Sequence, residues 1–176
     1  MILLLFAIGA VFGTWSPGTD SVRPAYVEHI APQDTFNIKE LAEYRLTVPA
    51  FRQFVQASQL IVTATAEDAR LASEPLFTRD IAVLDDVVAA AGQVEARLKF
   101  EPRYASALRI ASISARDYAK FALALFGARM AHGFLQSGAI RSVTKGVAAD
   151  NVAFVAEHEA EVAAVLQLLG VETAAF

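Results

Sequence analysis

The densest group of side chains able to do chemistry is His158 with Glu157, Glu159 and Glu161, preceded one to two helical turns earlier by Asp150 and Asn151. On a helix, His158 and Glu161 share a face, and Glu157 stands one turn from Glu161. With ligands from a second helix this set would hold a divalent cation. A carboxylate-bridged centre would want a second Glu-x-x-His helix, and the sequence has none. The competing reading is a solvated helix surface with His158 at the rim of the core. A haem would need His132 or Met130 opposite His158 as axial ligands, yet a methionine in an apolar helix usually fills space. Asp85 and Asp86 near Glu95 suggest paired carboxylates, but adjacent residues on a helix point in different directions. No G-x-S-x-G, phosphate-binding or dinucleotide-binding motif occurs. The sequence therefore disfavours an enzyme and calls for no cofactor.

Composition narrows the class further. The chain has 176 residues, 55% of them hydrophobic, which is enough to bury a core within one domain. Alanine is abundant and the 6 prolines fall mainly between periodic stretches, so the expected class is all-α. A formal charge of −4 with no dense basic run argues against nucleic-acid binding through phosphate neutralisation. The absence of cysteine rules out disulfides, thiolate zinc sites and iron–sulfur ligation.

The elements that must position these residues form a helical bundle of about four longer helices. Its centre is Ser114 to Gln136: Ser114 is an N-cap, Asp117 meets the first-turn amides, and Tyr118, Phe121, Ala122, Leu125 and Phe126 recur at helical spacing. Gly127 and Gly133 each cost about 1 kcal/mol against alanine within a helix, which points to close packing or a bend. An earlier helix starts with Thr47 as cap and Pro49 in its first turn, with Val48, Phe51, Val55, Ser58, Ile61, Val62 and Thr65 inward and Phe54 beside them. The next, from about Thr78 to Lys99, is expected to pair with it as an antiparallel hairpin. Pro102 opens one or two further turns. A single last helix is expected from Asp150 to a C′ glycine at Gly170.

The N-terminal part reads differently. Residues 1–15 form an apolar segment, residues 16–33 a proline-containing arm, and residues 34–176 the bundle domain, beginning with a short helix within Asp34–Tyr44. At about 20 Å as a helix, Ile2–Trp15 is short for a membrane span. It has the hydrophobicity of a secretion signal without a basic n-region, so a signal peptide, a retained anchor and a buried helix compete. As an anchor it would contact a partner or the membrane through Leu3, Leu4, Leu5, Phe6, Ile8, Val11, Phe12 and Trp15, with Tyr26 contributing from the arm. Arg97, Lys99, Arg103 and Arg109 form a looser basic group, suited to lipid headgroups, to an acidic partner or simply to water.

Three stretches together resemble a family of small exported bacterial proteins of unknown function. They are the Leu46–Thr47 helix start, I-S-A-R-D-Y-A-K-F at 113–121 with Ala128, Met130 and Ala131, and D-N-V-A-F-V-A-E-H-E-A-E-V at 150–162. Asn151, Val152, Phe154, His158, Ala160 and Glu161 match the family's Asn-Val-x-Phe pattern and the His and Ala-Glu that follow it. The resemblance spans residues 46–169 and implies an exported helical protein, while assigning no catalytic or binding residue. Members usually carry a fuller signal peptide, from which this chain departs. The expected function is a non-catalytic accessory or structural subunit of a larger membrane-associated assembly, on the periplasmic side of a bacterial membrane or exported. The alternative is a free periplasmic protein that holds a small apolar ligand between its Ala- and Gly-rich helices, with metal at His158 and Glu161 a weaker third reading.

Overall fold

The computed structural model describes residues 38–73, 76 and 84–171, within a compact unit spanning Thr35–Phe176; the side chains of residues 38, 84–88 and 90 are left aside. Every regular element among the described residues is helical. In chain order they are α1 (Ile38–Ala42), α2 (Val48–Ala66), α3 (Ala69–Ala72), α4 (Leu84–Phe100), α5 (Pro102–Ile110), α6 (Ala115–Gln136), α7 (Val147–Glu157) and α8 (Glu159–Leu168). The boundaries follow local chemistry. The Thr47 hydroxyl accepts from the Ala50 amide at the start of α2, and the Ser114 hydroxyl accepts from the Asp117 amide (3.0 Å) at the start of α6. Gly170 closes α8 with φ 70: its own amide reaches the Gln167 carbonyl and the Val171 amide reaches Leu166. That is the paired bonding of a left-handed glycine cap.

Helix α6 packs against α1, α2, α4 and α7. Its inward face buries Tyr118, Ala119, Phe121, Ala122, Leu125 and Ala128. Phe54 of α2 lies between two of these rings, with centroids 4.7 Å from Tyr118 and 4.9 Å from Phe121. Burying each such side chain contributes about 1.5–3 kcal/mol. Two hydroxyl pairs tie α2 to its neighbours: Ser58 with Tyr118 of α6, which is buried (2.9 Å), and Thr65 with Tyr104 of α5, which is partly buried (3.0 Å). Burial pushes the Tyr118 phenol well above its ordinary value, with the Ser58 hydrogen bond opposing.

Several expectations are revised. The buried face of α2 is Phe51, Phe54, Ala57, Ser58 and Ile61, whereas Val48 is exposed and Val55 and Val62 are half-buried. Phe54 lies inside because α2 faces α5, α6 and α8 together, a wider contact than one hairpin partner offers. Helix α4 packs on α5 and α6, so α5 replaces α4 as the partner expected of α2. Helix α5 turns through nine residues and buries Tyr104, Ala107 and Leu108. The last helix is divided at His158 (φ −111, ψ 27), so α7 lies along α6 while α8 turns to α2. It also starts earlier, at Val147, with Gly146 as N-cap in place of Asp150. Gly127 is exposed, and a Cβ there would meet nothing within 4 Å, so close packing does not explain it.

Candidate functional site

Between α1 and α2 the chain runs as a short strap, Tyr44–Thr47, that no regular backbone ladder holds. Side chains from α7 hold it instead. Asn151 is 7% exposed and bonds in both directions: its Oδ1 accepts from the Leu46 amide (2.8 Å) and its Nδ2 donates to the Tyr44 carbonyl (2.8 Å). A side-chain amide is suited to this, since it offers a donor and an acceptor side by side and meets the two backbone groups as a neighbouring strand would. Next to it, Asp150 accepts from the Arg45 guanidinium. Within the strap Leu46 is buried, and the Tyr44 ring stands edge-on to Phe121, with centroids 6.3 Å apart.

Upstream, α1 is tied to α6 by charge. Glu40 accepts from Arg116 (2.8 Å) and faces Lys120 (3.4 Å), and Arg116 also approaches Glu95 of α4 (3.8 Å). The Arg116 hydrogen bond holds the Glu40 carboxyl below its usual range. Solvent-exposed pairs of this sort are individually weak and act chiefly to fix register.

The residues singled out for chemistry are only partly brought together. His158 Nδ1 lies 3.1 Å from Glu161 Oε2, as their spacing requires, and the ring packs on Phe154 (4.6 Å) and Phe51 (6.1 Å) at the core rim. Asp150 and Asn151 are turned to the strap, while Glu157 and Glu159 are exposed. Among the described residues, no three of His, Cys, Asp and Glu converge as a metal would need. His132 Nε2 is buried without a hydrogen bond, 3.9 Å from Glu159 Oε1, which also faces Arg129 at 3.7 Å. Met130 is exposed, on the surface rather than opposite His158 in the interior. Glu95 faces Arg116, and the side chains of Asp85 and Asp86 are not described.

Leu3, Leu4, Leu5, Phe6, Ile8, Val11, Phe12, Trp15 and Tyr26 lie outside the described residues. Among the described residues, no helix is long and apolar enough to cross a membrane. Periodicity missed the role of Asn151 and Arg45. The available signal was an asparagine beside Val152 on the inward side of an apolar helix, where a buried amide must find partners.

No family model, curated protein or solved structure matches this chain.

Proposed function

We propose that this chain is a non-catalytic accessory or structural subunit of a bacterial membrane-associated assembly, on the periplasmic side or exported, docked through its N-terminal segment. The observation that carries the reading is the fastening of the strap. The polypeptide leading from the apolar Ile2–Trp15 stretch joins the body through α1 and Tyr44–Thr47. Those residues are gripped by Asn151, by Asp150 through Arg45, and by the Arg116 and Lys120 contacts to Glu40. A pull on the N-terminal segment would thus be shared between α7 and α6 instead of peeling α2 from the core. We read the body as a bundle of about four longer helices, α2, α4, α6 and the bent α7–α8 pair, serving as a rigid mount. The apolar N-terminal sequence and the resemblance to small exported proteins support the same reading.

The test is fractionation of the natural protein with high-salt washing, followed by intact mass measurement. The expected result is a chain that keeps residues 1–15 and stays with membranes or with a co-purifying assembly. A chain cleaved after the apolar stretch and recovered free would overturn the proposal and favour the free periplasmic alternative.

A further inference from the structure

Among the described residues, the two most exposed large apolar side chains stand at opposite ends of α5: Phe100, 75% exposed, just before it, and Ile110, 58% exposed, as its last residue. Phe100 ends α4, and the nine-residue helix α5 that follows and ends in Ile110 is about 14 Å long. Each is adjacent to a cation. Lys99 Nζ lies 5.7 Å from the Phe100 ring centroid, and Arg109 precedes Ile110, donating to Ser106 (3.3 Å). The inward face of α5 is spent on Tyr104, Ala107 and Leu108. Its outward face carries Pro102, Arg103, Ser106, Arg109 and Ile110, with no acid among them. The nearby acids are already engaged: Glu101 accepts from Arg70 (2.7 Å), and Glu67 and Asp68 each lie 3.9 Å from Arg103. Among the described residues, neither Lys99 nor Arg109 has a carboxylate partner. A molecule of formal charge −4 thus presents one edge whose free charges are positive and whose tips are apolar.

We propose that the outer edge of α5, from Lys99–Phe100 to Arg109–Ile110, rests on the headgroup layer of an anionic lipid bilayer. The chemistry is complementary at both ends. Lipid phosphates accept the cations, and the acyl boundary accepts the aromatic and aliphatic tips. Two apolar tips bind weakly alone, so the contact matters where the chain is already held at a membrane and local concentration is high. The inference therefore rests on the membrane-side location proposed above.

The test uses the full chain with its one tryptophan moved: Trp15→Phe combined with Phe100→Trp or Ile110→Trp, and with Met130→Trp as a control on α6. Each is mixed with equimolar phosphatidylglycerol and phosphatidylcholine vesicles, with and without brominated acyl chains. Positions 100 and 110 are expected to shift to the blue and be quenched by brominated lipid, while position 130 is not. Adding Lys99→Gln and Arg109→Gln should weaken the contact about 30-fold and abolish that quenching. Vesicle-bound protein with solvent-like emission at 100 and 110 overturns this inference and leaves the subunit reading standing. Absence of any vesicle binding overturns this inference, whereas the subunit reading falls only if the natural chain is also cleaved and free. Shielding of position 100 by a co-purifying acidic protein, with no lipid quenching, assigns the edge to that partner and overturns the lipid contact.

Discussion

The seam between α2 and α6 and the strap that joins α1 to α2 are held by opposite means. At the seam, Phe51, Phe54, Tyr118 and Phe121 exclude water by sheer area, and their geometry tolerates small shifts. At the strap, one amide and one carboxylate meet particular backbone and guanidinium atoms, and a small shift breaks the contact. The difference teaches that stability and placement are supplied by separate parts of the molecule. The aromatic seam keeps the body folded, and Asn151 fixes the path of the strap between α1 and α2.

The largest test of that division is Phe54→Ala. Removing a ring with no exposed surface should cost about 3–5 kcal/mol in denaturant unfolding, with every probe of the body responding together. Asn151→Ala should cost less, about 2–3 kcal/mol, because it strands the buried Leu46 amide and the Tyr44 carbonyl. Its signature is local: hydrogen exchange at Leu46 should accelerate while the amides of α6 stay protected. Equal acceleration throughout the body would erase the distinction between seam and strap.

Tyr118→Phe probes the Ser58–Tyr118 hydrogen bond inside the seam and should cost about 1 kcal/mol at neutral pH. It also carries a pH signature. The buried phenol holds its proton more tightly than the unfolded chain does, so its contribution is complete below the ordinary value of 10.0 and falls as pH rises beyond it. The variant should flatten that alkaline loss, measured as the midpoint of urea unfolding against pH. At the small end, Gly127→Ala should stabilise by about 1 kcal/mol, since its Cβ meets open space within a helix. A thermal scan showing destabilisation would mean that α6 needs the backbone freedom of glycine at this position.

Much of this arrangement is written in the sequence where the cause is local. Ser114, Thr47 with Pro49, and Gly170 all act where their types predict, because caps are decided within one helical turn, although the Asp117 carboxylate accepts from the Ser114 hydroxyl in place of a first-turn amide. Tyr118, Phe121, Ala122 and Leu125 of α6 were legible as an inward set, although Ala119 and Ala128 join it and Phe126 is only half-buried, and the pairing of His158 with Glu161 followed from spacing alone. The bend at His158 was not legible. Val152 and Val155 before it and Val162, Val165 and Leu166 after it continue one helical phase, so periodicity is blind to the change of partner from α6 to α2. Phe54 was set aside for the same reason: its burial depends on three helices meeting α2, which no single stripe records. For Asn151 the sequence offered the need for partners but not their identity, because they lie 105 and 107 residues away.

That separation sets a schedule during synthesis. At about 5–20 residues per second, roughly 5–20 s pass between the emergence of Leu46 and that of Asn151. Through that interval the strap between α1 and α2 is untied from its eventual clamp, and only the emergence of α7 supplies the amide that locks it.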